Sequence, residues 1–400
     1  MMRKMLILTT DFDHPLIARV HYLFDFLKMK RIEVKVVNIP FESEKQSITK
    51  YLKKMLASAK TTYSSSTTDT LVRFPKRSRV LGGTLSSVGV GLSYAIALFL
   101  SGFFLRKYAH RIVIAIGPFA GLPAILFLKK KSFIVYENTD FWTDTSKGLL
   151  QKKAVSLIER LCLRKAHLVI SNSSLLNEMA KSFNPSSVLI QNGVNTRFYS
   201  YCSGLPRDPS ITYMGSIAKW AGLDLALEAM PRLLERFPQL KLRVSGDGPD
   251  KARLERLVKD NRLEKNVFFL GKLPYEELPK LLRSSSIGIA VFKPDNFTAY
   301  ASPLKLYEYM AAGLPIVATD IGETSKVMKE SQAGLCIDWT PDGFVDAVTR
   351  LITNEELWKD CSTNGLNYAH EFDWNVLFER WLSYVESHLR SYEESHENKG

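Results

Sequence analysis

Between residues 211 and 352 short apolar runs and helical periods alternate without a break, and few architectures accept that order. Strands read at Ile211–Met214, Lys241–Val244, Val267–Leu270, Ile287–Phe292 and Pro315–Ala318, with helices at Leu223–Phe237, Lys251–Asn261, Tyr275–Arg283, Pro303–Ala312 and Pro341–Ile352. Such alternation needs a parallel sheet covered on both faces. Ligands of these sheets gather at the carboxyl ends of the strands. The loops after Met214, Val244, Leu270, Phe292 and Ala318 are therefore the candidate site. The first half repeats the theme: strand Leu6–Thr10, helix Ile17–Lys30 and strand Val34–Val37 open it. Strands Ile112–Ile116, Phe133–Tyr136 and Leu168–Ser171 follow, with helices Lys152–Lys165 and Ser174–Ser182. A chain of 400 residues suits two cores. The expected fold is α/β, with two Rossmann-like domains facing across a cleft. They span 1–197 and 198–370, and a helix in 371–400 packs back toward the first.

Charge divides unevenly. Residues 1–200 hold 30 Lys and Arg against 12 Asp and Glu, whereas residues 201–400 hold 24 against 29. A cationic first half suits an anionic membrane surface or a phosphate-bearing acceptor; nucleic acid has only the net charge in its favour, with no aromatic-basic reader motif. Leu85–Leu105 is a run of 21 residues without a charge, flanked by Arg73, Lys76, Arg77 and Arg79 and by Arg106, Lys107 and Arg111. It is long enough to span a bilayer, but a span there would break one sheet across the membrane. A buried helix or one dipping into the interface is the consistent reading, and the flanking cations favour dipping. Four scattered cysteines and no long apolar N-terminal region point to the cytoplasm, with peripheral attachment to the inner face of the cell membrane.

The stretch from Tyr300 to Pro315, YASPLKLYEYMAAGLP, carries the most chemistry. Ser302 is a suitable N-cap, Pro303 suits the first helical position, and Gly313 closes the helix with Pro315 just beyond. The helix start at Pro303, with free amides from Leu304 onward, and its dipole favour a diphosphate. Lys305 adds a full charge in the first turn. Glu308 lies on the same face, where its carboxylate can accept two ribose hydroxyls. The plain alternative is a solvated Lys/Glu pair. The glycines of Gly246-Asp247-Gly248 are explained mainly by a tight strand-to-helix turn, with ligand approach a lesser share.

The order of motifs resembles the family 4 glycosyltransferases, which are retaining and have the GT-B fold. The matching pieces are Gln191-Asn-Gly-Val-Asn195 with Phe198, Tyr213-Met-Gly215 with Gly222-Leu-Asp224, and Ser245-Gly-Asp-Gly-Pro249. Asn266-Val-Phe-Phe-Leu-Gly271 with Glu277-Leu278 and the run Ser302–Ala318 complete them. The resemblance implies a nucleotide-diphosphate-sugar donor held by the second half, with Lys272 giving backbone contacts to the base and Glu308 holding the ribose. It makes Glu308 the second acid of an E-x7-E pair whose first position is Tyr300 here. The family's Arg after the glycine matching Gly215, and its Lys before Gly222, are Ser216 and Ala221. Lys219 and Lys305 are read as their substitutes.

The acceptor and any proton-transfer group are expected from the first half. The loop after Phe133–Tyr136 offers Glu137 and Asp140, where related enzymes place a His or an Asp, and Trp142 as a sugar platform. Helix capping is the alternative role for Asp140 or Asp144. His14, in the loop after the first strand, and Arg19 are candidates for an acceptor phosphate. No D-x-D sits at an obvious strand end except Asp11-Phe-Asp13, and no Ser-His-Asp set is present. The reading is a metal-independent retaining transfer with no cofactor beyond the donor, to a lipid-linked or glycan acceptor. A non-catalytic nucleotide-sugar-binding homologue is a second class, favoured by Tyr300, Ser216 and Ala221; an epimerase of the same fold is a third. An NAD enzyme would need a G-x-G-x-x-G opening one half, and none is there.

Overall fold

The computed structural model describes residues 4–9, 18–38, 110–145, 148–199, 204 and 209–397, together with four short strands at 43–44, 63–64, 70–73 and 77–78. The chain divides into two units: Met1–Ile190 with Phe378–Gly400, and Gln191–Leu377.

The first unit holds an eight-stranded sheet. In chain order its strands are β1 (Lys4–Thr9), β2 (Glu33–Asn38), β4 (Tyr63–Ser64), β5 (Thr70–Arg73), β7 (Ile112–Ile116), β8 (Phe133–Asn138), β9 (Leu168–Ser171) and β10 (Ser187–Leu189); β3 (Ser43–Glu44) and β6 (Arg77–Ser78) pair separately. Spatially the order is β10-β9-β8-β7-β1-β2-β5-β4, parallel except for β4. Every residue of β7 and β8 is buried, which is why β7 and the first four residues of β8 read as unbroken apolar runs rather than alternating ones. Helix Ser174–Lys181 starts where the sequence places it, with the Ser173 hydroxyl accepting from the Leu176 amide at 3.3 Å. The C-terminal helix, Trp374–Glu397, supplies Phe378 against Phe26, and buried Trp381 beneath the sheet.

The second unit holds β11 (Ser210–Met214), β12 (Lys241–Ser245), β13 (Val267–Gly271), β14 (Ile287–Ala290), β15 (Ile316–Thr319) and β16 (Gly334–Ile337), all parallel, in the order β13-β12-β11-β14-β15-β16. The chain reverses its direction of winding between β11 and β14, the place where such sheets open a ligand crevice. β16 is a strand the alternation did not reveal. It has four residues at an edge, and its Gly334 is required because a Cβ would lie 1.9 Å from the Ile316 carbonyl. The helix read over Tyr275–Arg283 is split into a 3-10 turn, Tyr275–Glu277, and a short helix, Leu278–Arg283.

Asp11, Asp13 and His14, and the apolar run Leu85–Leu105, lie outside the described residues. Among the described residues no helix is long and apolar enough to cross a membrane.

Candidate functional site

At the winding reversal, β11 and β14 pair only as far as Thr212 and Gly288, so the amide of Met214 loses its ladder partner. The Tyr309 hydroxyl takes its place: it accepts from Met214 N at 2.9 Å and lies 3.4 Å from the Ile289 carbonyl. Gly288 makes room for this ring, since a Cβ there would meet it at 2.7 Å. Tyr309 thus pins helix Leu304–Ala311 across the split, with the helix's amino end at the strand ends.

That amino end differs from the sequence reading in one respect. Pro303, with ψ 121°, is itself the N-cap and Leu304 the first helical residue, so Ser302 does not cap. The Ser302 carbonyl accepts from Asn192 Nδ2 at 2.8 Å, and its hydroxyl is buried without a hydrogen-bond partner. Pro303 cannot donate, no side chain caps the helix, and the Leu306 amide donates to the Pro303 carbonyl at 3.2 Å, so the amides of Leu304 and Lys305 keep their capacity for an anion.

Lys305 projects from this turn over the Tyr213 ring, its Nζ 3.9 Å from the ring centre and 5.1 Å from that of Phe292. Burial against these rings pushes the ammonium down to about 7, with Glu308 pulling the other way. A Cβ on Gly215 would come within 3.2 Å of Nζ, so glycine at 215 admits the lysine. Gly215 (φ 133°) and Gly246 (φ 145°) turn at the ends of neighbouring strands, where a Cβ on Gly246 would stand 1.8 Å from the Gly215 carbonyl. Gly246 N then donates to the Gly271 carbonyl at 2.8 Å. Three strand ends thereby meet backbone to backbone, and at 246 only glycine permits the approach.

Glu308 lies one turn along the helix. Burial pushes its carboxyl up, against the Tyr199 hydroxyl bonded to it and the Lys305 cation, which both pull it down. The Tyr199 hydroxyl is also 3.3 Å from that of Tyr275, and Phe198 stacks on Tyr275 at 4.5 Å. Tyr199 was not singled out from sequence; the signal was its place beside Phe198 in the matched motif. Lys219 is exposed in the turn Lys219–Ala221, close enough to Asp250 to help hold that carboxyl low. Lys272 is exposed just past Gly271 (φ 69°), and Tyr300 ends a short helix, Asn296–Tyr300, capped by Asp295. Of the candidate donor residues, the structure thus gathers Gly215, Gly246, Ser302, Pro303, Leu304, Lys305 and Glu308.

In the first unit one placement differs from the sequence reading. Glu137 is inside β8, not on the loop after it, and is fully buried. Its carboxylate accepts from Arg19 Nε at 3.0 Å and from Trp381 Nε1 at 2.6 Å. Arg19 and Glu137 are thus paired within this unit, as a buried carboxylate requires.

Asp140 stands in the bend beyond β8, half-buried and pushed up to about 7 by burial and then by Glu159. Glu159, on helix Leu149–Lys165, escaped the sequence reading because a lone acid among basic residues looks like an ordinary helix charge. It is buried, accepting from the Trp142 amide at 3.0 Å and the Thr143 hydroxyl at 2.6 Å, and burial pushes it up as well. It therefore anchors the Asp140 loop from behind. The Trp142 ring packs edge-on against Phe119 and over Gly117. Because a like charge raises an acid, Glu159→Gln should move the Asp140 midpoint below 7, as read by carboxyl NMR titration. Among the described residues no group of three His, Cys, Asp or Glu is placed to hold a metal ion.

The model of the family "Glycosyl transferases group 1" matches residues 203–368. An uncharacterized glycosyltransferase of Methanocaldococcus jannaschii is 23% identical over 212 residues, which are 52% of this chain and 55% of the relative, so the chain spans about half that protein's length. Sucrose-phosphate synthase from Thermosynechococcus elongatus superposes with a TM-score of 0.72 at 15% identity, covering 96% of this chain and 98% of that one. Anabaena HepE in complex with UDP gives a TM-score of 0.70 at 15% identity, covering 96% and 100%. At that identity the likeness shows the fold, and the GT-B architecture expected from the motifs holds over nearly the whole chain. Residues 203–368, which include the helix of Lys305 and Glu308, are thus similar to the glycosyl transferases group 1 family.

Proposed function

We propose that this protein transfers a sugar from a nucleotide-diphosphate donor to a lipid-linked or glycan acceptor, with retention of configuration, at the cytoplasmic face of an anionic membrane. The observation that carries the reading is one helix presenting Lys305 and open amides at its start and Glu308 one turn later, at the winding reversal of a parallel sheet. Those groups at that spacing suit a diphosphate and the pentose attached to it. The complex of the similar HepE with UDP supports a nucleotide donor.

The chemistry asks little of a protein nucleophile. The bond from the anomeric carbon to the diphosphate oxygen breaks as the bond to the acceptor oxygen forms on the same face. The departing diphosphate oxygen takes the acceptor's proton. The protein's tasks are to neutralise that diphosphate and to exclude water, and Lys305 with the first-turn amides suits the first task without a metal ion or cofactor. Asp140 and Trp142 serve the acceptor side in this reading. The cationic first half and the basic flanks of Leu85–Leu105 support a membrane-borne acceptor.

Thermal unfolding in the presence of UDP, GDP, ADP and dTDP tests the donor site. One of these should raise the midpoint, since ligand at 100 times its Kd stabilises by about 2.7 kcal/mol. Glu308→Ala should weaken that nucleotide about tenfold, the value of one charge-assisted hydrogen bond of roughly 1.5 kcal/mol. No response to any of the four at millimolar concentration would overturn the reading.

A further inference from the structure

Helix Leu149–Lys165 is turned inside out at its surface. Its one acid, Glu159, faces inward, while Leu149, Leu150 and Leu157 face solvent at 70%, 81% and 70% exposure. Residues 150, 153, 157, 160 and 164 recur at three- and four-residue spacing, so Leu150 and Leu157 share one face with Lys153, Arg160 and Arg164. Lys152, at its edge, is held by Asp144 at 2.8 Å; Lys153 and Arg160 have no acidic partner among the described residues. Leu126, 60% exposed, and the run Lys129-Lys130-Lys131 extend the same combination nearby, for Lys165 lies close enough to Lys129 to act on its charge.

Large aliphatic side chains in water, interspersed with cations and free of acids, match the requirements of a lipid interface. The leucines enter the acyl boundary while Lys and Arg stay at the phosphates. A second copy of this chain is a poorer occupant, because an isologous contact would set two cationic faces against each other. The uncharged run Leu85–Leu105 would cover the leucines but leave Lys153, Arg160 and Arg164 without counter-charge.

We propose that the outer face of helix 149–165, with Leu150 and Leu157 as its apolar anchors and Lys153 and Arg160 as its phosphate contacts, is the surface that docks this protein on an anionic bilayer. The proposal rests on the membrane-facing reading above and names the element that carries it. The helix also holds Glu159, which anchors the Asp140 loop from its opposite side, so docking sets the acceptor loop at the membrane.

Flotation of the full chain with vesicles of phosphatidylcholine, with and without phosphatidylglycerol, tests it. The wild type should float with the anionic vesicles, and less so as salt rises. Leu150→Ser with Leu157→Ser should cut the bound fraction at least tenfold with no change in thermal midpoint, since both side chains are exposed in the free protein. Lys153→Glu with Arg160→Glu, an independent pair, should abolish the preference for phosphatidylglycerol. A wild type that ignores both kinds of vesicle overturns the membrane reading itself. A wild type that floats while both variants float equally well overturns only this surface. Leucine variants that dissociate a dimer in sedimentation without losing flotation would assign the face to self-association and overturn the proposal.

Discussion

Lys305→Ala should lower kcat/KM for the nucleotide-sugar donor by roughly 10- to 150-fold, the equivalent of about 1.5–3 kcal/mol for one charge-assisted contact. Lys305 is a cation in the first turn of its helix, held there by the Tyr213 and Phe292 rings and by the space that Gly215 leaves. Its depressed acidity gives the prediction a second readout. The free ammonium titrates at about 7, and a bound diphosphate raises it. Binding must then take up a proton above pH 7, and donor affinity must fall as pH rises from there, approaching tenfold per unit at most. Calorimetry at pH 8 in two buffers of different ionisation enthalpy should show that uptake for the wild type and none for Lys305→Ala. Equal donor kinetics in both proteins would remove Lys305 from the site, and the diphosphate reading with it.

Arg19→Met should destabilise the first unit by about 3–5 kcal/mol, because it leaves the Glu137 carboxylate buried with Trp381 as its remaining partner. Two units give no guarantee of a single transition, so the midpoint of the first urea-unfolding step is the quantity to follow. Adding Glu137→Leu to Arg19→Met should recover much of the loss, since an apolar pair of similar volume can replace a buried ion pair. An unmoved midpoint for the single variant would return Arg19 to the list of acceptor contacts.

Legibility followed the range of the interactions involved. Gly215, Lys305 and Glu308 were readable because the helix and the turn that place them are local: three- and four-residue spacing, a proline start and a glycine stop. Ser302 was misassigned as a cap for a small reason. The backbone of Pro303 remains extended by one residue more, and the local pattern S-P does not distinguish the two registers. Glu137 was misread because β8 runs two residues past the last apolar one. Polar Glu137 and Asn138 stay in the ladder because Arg19 and Trp381, 118 and 244 residues away, satisfy the first of them. Tyr199, Glu159 and Tyr309 act through partners distant in sequence or through burial, neither of which has a periodic signature. The strand order was legible only in kind: alternation predicts a parallel sheet, whereas the place where winding reverses is decided by tertiary pairing.

The C-terminal helix has a consequence for how the protein is made. Phe378 and Trp381 complete the interior of the first unit, yet they leave the ribosome only after the whole of the second. The later-coded unit, continuous from Gln191 to Leu377, is fully synthesised first, while the earlier one waits with Glu137 lacking its indole donor. Stopping translation near residue 370 should therefore harm the half of the molecule farthest upstream, and nascent chains should resist protease in the reverse of their coding order.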